Sequence, residues 1–441
     1  MNYLGLNKLK ILTSLIALFL LFQLYQFIRI RITNMDLPKG RIVFSSGADG
    51  DNEIYTMNVN GTGLRQLTRN SATRTNTATD YQPSFSPDGE KIVFVSDRQG
   101  ENKELIYDYQ DRVIGAGSSK TGSLDIYIMN SDGSNQVPLT YHGLNLNPFF
   151  SPDGRYIVFE TKDNMKRQKI IMDYDRRSQR MLNPESGQCS FSPGGKKIYD
   201  TFQCDLSSMD ANGTNRVRLT RFLSNEETIK DPRRRKAVIQ NIAFSHDTRK
   251  IVFVLVEAKE DPMGGFYDSV KFYNIKTDGP DLEEICRIDC LNLSWPYISE
   301  DAGKARFCHI KQVLYSTDDK AIIFIADFNY FKGIYSLDLN SGSVEDLAYK
   351  KQNWRNIIDF VFTPDGKKII FIADVYPKYY GFYALVLHSI KSFFNHYLLR
   401  RSTPPYDNKY LCVMDMDGRN YRRICKLPAG TKVGRDFVHW E

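Results

Sequence analysis

Along most of this chain, apolar and polar residues alternate over short runs that stop at Gly, Pro, Asn or Asp, the pattern of half-buried strands joined by tight turns. The clearest run is Phe85-Ser86-Pro87-Asp88-Gly89-Glu90-Lys91-Ile92-Val93-Phe94-Val95-Ser96, and the chain keeps rewriting it. It returns at Phe150-Ser151-Pro152-Asp153-Gly154, followed by Tyr156-Ile157-Val158-Phe159, at Phe191-Ser192-Pro193-Gly194-Gly195, followed by Lys196-Lys197-Ile198, and at Phe362-Thr363-Pro364-Asp365-Gly366, followed by Lys368-Ile369-Ile370-Phe371. Two worn copies begin at Phe244-Ser245-His246-Asp247-Thr248 and Tyr315-Ser316-Thr317-Asp318-Asp319. Proline sets φ for the first corner, Asp bonds back to the backbone, and Gly takes the φ > 0 conformation that closes the turn.

A second turn follows several copies, as in Met129-Asn130-Ser131-Asp132-Gly133, Met209-Asp210-Ala211-Asn212-Gly213 and Met414-Asp415-Met416-Asp417-Gly418. The strand after it closes on Leu-Thr, at Leu67-Thr68, Leu139-Thr140 and Leu219-Thr220. Four short antiparallel strands recurring at roughly 40 to 75 residues predict the blades of a β-propeller.

These repeats resemble those of the TolB-type (TolB-like, WD40-like) β-propeller family, whose unit is an aromatic, Ser-Pro-Asp-Gly, a basic residue, an Ile-Val-Phe strand and a strand like Asp125-Ile126-Tyr127-Ile128-Met129. The resemblance covers about residues 40 to 441. It implies an all-β fold, a protein-binding disc and export to the cell envelope.

The first propeller strand, Arg41-Ile42-Val43-Phe44-Ser45-Ser46, reads as the second strand of a blade whose inner strand is missing. Asp436-Phe437-Val438-His439-Trp440 has the shape of that missing strand, with Trp440 in the aromatic's place. Sharing one blade between the two termini removes the open sheet edge. The joint blade and those headed by Phe85, Phe150, Phe191, Phe244, Tyr315 and Phe362 make a seven-bladed propeller of four-stranded antiparallel blades.

Ahead of it, residues 1–10 read as a short tail, 11–28 as an apolar segment flanked by Lys8, Lys10, Arg29 and Arg31, and 29–40 as a linker. About 18 helical residues nearly span a hydrocarbon core of roughly 30 Å, so the segment predicts a transmembrane helix. Arg29-Ile30-Arg31-Ile32 is a poor cleavage site, which favours an uncleaved signal-anchor over a removed signal peptide. Basic residues on both sides leave the orientation open. The family resemblance implies a periplasmic or otherwise extracytoplasmic propeller.

A net charge of +7 is modest for 441 residues, and the sharpest basic run, Arg233-Arg234-Arg235-Lys236, reads as a loop, so no nucleic-acid partner is expected. Of seven cysteines, Cys412 and Cys425 flank one turn and are expected to face each other across two strands, while Cys286, Cys290 and Cys308 cluster in one connection. An odd total leaves at least one thiol free. No Cys-x-x-Cys pair occurs, and no zinc site or other cofactor is expected.

Insertions are expected at 99–123, 221–236, 289–311 and 376–408. Gly115 to Thr121 faintly resembles a phosphate loop but has Ser119 where glycine belongs, and the sheet context is wrong. Between Phe382 and Arg401, apolar residues recur at helical spacing. The amphipathic helix they predict would present Val386, Ile390, Phe393, Phe394 and Tyr397 to a membrane, with packing against the propeller or a partner as the plainer reading.

Aligned on the aromatic, the repeats carry an amide or acid three residues earlier: Gln82, Asn147, Gln188, Asn241, Gln312 and Asp359, with Phe437 in the closing blade. Inner strands surround a channel, so these side chains are expected either to form a ligand-binding ring or to bond neighbouring blades. The family resemblance also raises two enzymatic relatives. The prolyl oligopeptidase type needs a hydrolase domain and a Gly-x-Ser-x-Gly elbow that this chain lacks. The oligogalacturonate lyase type needs a metal near the axis, for which His309 and His439, with Gln312, are weak candidates. No catalytic residues stand out. The sequence reads as a membrane-anchored, non-enzymatic scaffold that recognises another envelope protein or peptide. The alternative is a carbohydrate-active or glycan-binding propeller using the channel mouth. TolB itself carries an α/β domain ahead of its propeller, where this chain has the apolar segment.

Overall fold

The computed structural model describes residues 37–47, 52–69, 78–98, 105–107, 113–116, 123–141, 143–163, 166–182, 186–202, 204–222, 237–260, 266–279, 281–289, 308–328, 331–347, 354–375, 409–428, 431–433 and 437–440. Within them lie seven four-stranded antiparallel sheets, the blades of a propeller. Blade 1 joins Gly40–Ser46, Glu53–Asn58 and Arg65–Gln66 to the carboxyl-terminal Val438–Trp440. Blades 2 to 7 follow in chain order, with inner strands Asp80–Phe85, Asn145–Phe150, Ser186–Phe191, Val238–Phe244, Cys308–Tyr315 and Trp354–Phe362. The blade count read from the repeats is therefore the observed one.

Each corner after the inner strand is held as its residues dictate. Gly89, Gly154, Gly195 and Gly366 have φ of 68°, 73°, 68° and 65°, and the worn copies force Thr248 and Asp319 into the same left-handed region at 59° and 56°. In blade 2 the Ser86 hydroxyl donates to Asp88 at 2.5 Å and accepts from the Lys91 N–H at 2.9 Å, while Asp88 also accepts from the Glu90 N–H. Ser245, Ser316 and Thr363 repeat the arrangement with Asp247, Asp318 and Asp365. The hydroxyl and then the backbone N–H hold the carboxyls of Asp88, Asp247, Asp318 and Asp365 below the usual carboxylate range.

The Leu-Thr ending has an equally local cause. Thr68, Thr140 and Thr220 accept from the buried N–H groups of Ile54, Ile126 and Leu206 at 2.8, 2.9 and 2.8 Å, and donate to Glu53, Asp125 and Asp205 at the start of the same third strands. One hydroxyl thus pins the outer strand and satisfies two buried groups. Asp205 to Met209, which reads as an eroded third strand, lies in the full third strand of blade 4, Asp205–Asp210.

The core lies between blades. The second strands of blades 1, 2, 3, 5, 6 and 7 bury Phe44, Phe94, Phe159, Phe253, Phe324 and Phe371 at one equivalent position. Opposite four of them stand Tyr55, Tyr127, Tyr273 and Tyr335, with ring centroids 5.5 to 5.8 Å apart. Such cross-strand aromatic pairs strengthen the sheet beyond the area they bury. Blade 4 differs, placing Asp200 opposite Ser207.

The ring closes between the termini: Gly40, Arg41 and Ile42 pair with Trp440, His439 and Val438, and the Val43 N–H donates to the Phe437 carbonyl at 2.8 Å. The register corrects one expectation. Ile42 is the counterpart of Ile92, which pairs with Phe85, so Val438 and not Trp440 stands in the aromatic's place. Phe437 accordingly matches Ser84 rather than Gln82, and it is buried. Trp440 instead covers Gly40, where an added Cβ would lie 2.7 Å from its ring.

Two further expectations change. The register sets Cys425 opposite Leu411 and Cys412 opposite Arg423, with an irregularity between them, and both thiols are free. The 99–123 insertion, whose polar, Gly-rich sequence reads as a loop, contains an antiparallel pair, Leu105–Tyr107 with Val113–Ala116. No helix among the described residues is long and apolar enough to cross a membrane. Segment 11–28 and the helix expected at 382–401, with Val386, Ile390, Phe393, Phe394 and Tyr397, lie outside the described residues.

The antiparallel order gives the disc two unlike ends. The corners between first and second strands, and the turns between third and fourth, share one end. The connections between second and third strands, and those between blades, leave from the other. At the turn end, His439 sits against blade 2: its ring centroid is 5.8 Å from that of Phe85, and a Cβ on Gly89 would fall 2.3 Å from its Nε2. Gly89→Ala therefore meets both a left-handed φ and the closing strand, and should cost about 1–3 kcal/mol in a denaturant titration. Gly154→Ala, whose Cβ has only Pro87 nearby at 3.9 Å, should cost less.

Candidate functional site

The six polar positions on the inner strands coincide with an interruption in each strand. The pairing of first and second strands shifts register between Tyr81 and Ser84, Leu146 and Phe149, Ser186 and Cys189, Ile239 and Asn241, Ile310 and Gln312, and Ile357 and Asp359. Blades 2 to 7 thus share a β-bulge at one height, a device that re-aims side chains and frees backbone groups from the ladder. In blades 2 and 3 the bulge puts Gln82 and Asn147 at φ of 51° and 53°, the left-handed region that amides tolerate better than branched residues.

The freed groups are satisfied mostly across blades. Gln82 Oε1 accepts from the Asn147 N–H of blade 3 at 2.8 Å. Gln312 clamps blade 7 with both ends of its amide, Nε2 donating to the Phe360 carbonyl at 2.9 Å and Oε1 accepting from the Phe360 N–H at 3.1 Å. Blades 5 and 6 use two amides for the same clamp: Asn241 Nδ2 donates to the Ile310 carbonyl at 2.6 Å, and Gln240 Oε1 accepts from the Ile310 N–H at 2.7 Å. Lys311 Nζ donates to the Ile358 carbonyl alongside.

The remaining members are held within their own blades. The Gln188 N–H donates to Thr201 Oγ1 at 2.8 Å, and Asp359 accepts from the Phe360 N–H at 2.9 Å. Asn147 bonds Glu160, whose carboxyl is pushed up by burial but held below its usual range by Lys169, 3.0 Å away, together with Arg167 and Asn147. The six residues therefore share a height, and three of them serve as rivets between blades. Gln240 escaped the sequence reading because an alignment on the aromatic isolates one position per blade. The adjacent amides Gln240-Asn241 were the available signal.

The histidines do not converge. His309 pairs with Asp327 at the connection end of blade 6, whereas His439 pairs with Arg41 at the turn end, beside Gly89. Gln312 lies between these levels on its strand. Among the described residues, no group of three or more His, Cys, Asp or Glu side chains is set to hold a metal ion. A cleft of about 400 Å³ opens between blades 2 and 3, lined by Thr140, Tyr141, Asn145, Phe159, Thr161 and Gln179 among others.

The clamp predicts a measurable stability term. Gln312→Ala removes two inter-blade bonds, leaving the Phe360 C=O without its amide donor and the Phe360 N–H with Asp359 in place of the shared pair, so it should lower unfolding free energy by about 1–3 kcal/mol. Gln312→Glu keeps the acceptor but loses the donor, and its midpoint in a urea titration should fall between those of Gln312→Ala and the parent.

No family model matches the chain. Among curated proteins, a TolB homolog of Chlorobium luteolum is 31% identical over 153 residues, 30% of this chain and 34% of the relative. A TolB homolog of Chlorobium chlorochromatii is 30% identical over 140 residues, 27% of this chain and 30% of the relative. The chain thus spans about a third of the length of the curated relatives it matches. Among solved structures, TolB from Acinetobacter baumannii aligns over 91% of this chain and 66% of its own, at 15% identity and a TM-score of 0.43. The repeat unit and the seven closed blades make this chain a seven-bladed β-propeller, and over about a third of its length it is similar to curated TolB homologs.

Proposed function

We propose that the propeller is a rigid, non-enzymatic recognition module at the cell envelope, binding another protein or a peptide at its connection end. The asymmetry of the two ends carries this reading. The turn end is sealed by short corners whose hydroxyls, carboxylates and left-handed glycines are consumed in their own hydrogen bonds. Every long connection, including those at 99–122, 223–236, 290–307 and 376–408, joins strand ends at the other face. Variable connections on a rigid frame are where binding residues concentrate. The amide rivets favour a frame that keeps its shape, and the likeness to TolB homologs supports an envelope setting and a protein partner.

Tethering by segment 11–28 belongs to the same proposal and has a geometric consequence. The chain enters the disc at Gly40, at the turn end, whereas Val375 and Lys409, which bound the 376–408 connection, lie at the opposite end. Eight strand residues at about 3.3 Å each separate the two ends by roughly 26 Å. A tethered disc lying flat would therefore turn its connection end away from the bilayer and toward a partner.

A photo-crosslinking amino acid tests the docking end. Placed at Tyr141 or Thr161, at the connection end, it should capture a partner from solubilised envelopes, whereas at Asn212 or Asp417, in the turns, it should not. Capture confined to the turn positions would reverse the assignment. For the tether, the full chain should stay in the membrane pellet after carbonate washing, and a chain starting at Asp36 should be soluble. Full-length protein in the supernatant would reject it.

A further inference from the structure

Blade 4 breaks the aromatic pattern of the core. At the position where the other six blades bury phenylalanine it buries Asp200, fully shielded from solvent, with Ser207 in place of the usual cross-strand ring. The polar pair faces blade 3 beside an apolar cluster that includes Val158, Ile171, Ile198 and Met209. Arg216, from the outer edge of blade 4, reaches in to Asp200 Oδ1 at 3.1 Å and to Ser207 Oγ at 3.4 Å, while Asp200 Oδ2 has no hydrogen-bond partner. From blade 3 come Lys169, committed to Glu160 at 3.0 Å, and Arg167, 3.8 Å from the same carboxylate.

We propose that the interface between blades 3 and 4 is a proton-controlled seam in the ring, tightest when Asp200 carries a proton and loosened when it is ionised. The physical cause is an acid in an aromatic's place. A protonated carboxyl is a compact neutral group that fits an apolar slot, whereas an ionised one must be desolvated with half its lone pairs unmet. Arg216 offsets this only in part, because a third of its side chain remains in water. Burial accordingly pushes the Asp200 carboxyl up to about 6, against the downward pull of Arg216 and Lys169.

The direction follows from linkage. Because the folded group binds its proton more tightly than an unfolded aspartate near 3.9, its stabilising effect is complete below about pH 4 and is lost as pH rises through about 6. Turn aspartates act oppositely, losing their contribution only as pH falls below the ordinary carboxylate range.

Hydrogen exchange of the full chain, corrected for intrinsic rates, tests the seam at pH 5 and pH 7.5. Protection of Ser186–Phe191 and Lys197–Phe202 should fall on the order of tenfold between the two values, while Cys308–Tyr315 and Ala321–Phe328 of blade 6 change little. Asp200→Asn should abolish the difference and Glu160→Gln should keep it. Should Asp200→Asn fail to fold, Asp200→Phe with Ser207→Tyr restores the ring pair used elsewhere and should show the same flat profile. A pH response that survives at residue 200, or one shared equally by blade 6, would overturn the proposal.

Discussion

Seven sheets become one ring because Val438 to Trp440 supply the inner strand that the chain's first blade lacks. An unclosed propeller would present two unpaired edges, each a row of unsatisfied N–H and C=O groups. The closing strand is only three residues long, so its three register pairs need support from packing. That support comes from Trp440 over Gly40 and from His439 against Phe85 and Gly89. The terminal blade is thereby fixed to its neighbour in blade 2 as well as to itself.

Three kinds of bonding operate at different radii. Near the axis, bulged strands are riveted by amides that answer the N–H and C=O of the next blade. Between the blades, buried phenylalanines stack on tyrosines, where aromatic area and cross-strand contact act together. At the outer edge, one threonine hydroxyl ties strands as short as two residues to the acid that begins the third strand. Blade 4 keeps the outer tie but replaces the middle one with the polar side chains of Asp200, Ser207 and Arg216, where the other six blades bury phenylalanine.

Uniformity of the turn end and variety of the connection end follow from one constraint. A corner between paired strands must reverse the chain within a few residues, so its composition is fixed by φ and by local hydrogen bonds. A connection to the next blade carries no such limit, and the chain's elaborations collect there.

How much of this was legible in the sequence depended on whether the governing interaction was local. Pro-Asp-Gly corners, the blade count and closure by the two termini were readable because each rests on residues adjacent in the chain or on a repeat of them. The height of the polar belt was readable for the same reason, but Gln240 was not, since its partner Ile310 lies seventy positions away and only the bulge brings them together. Register decided what spacing left open: it moved Trp440 out of the aromatic's place, set Cys412 and Cys425 one step out of line, and put His309 and His439 at opposite ends of the disc. By itself the sequence determined the repeating unit and its number, because turn chemistry is local. Which side chains meet was decided by the tertiary structure, because a shift of one residue in strand pairing turns every later side chain to the other face.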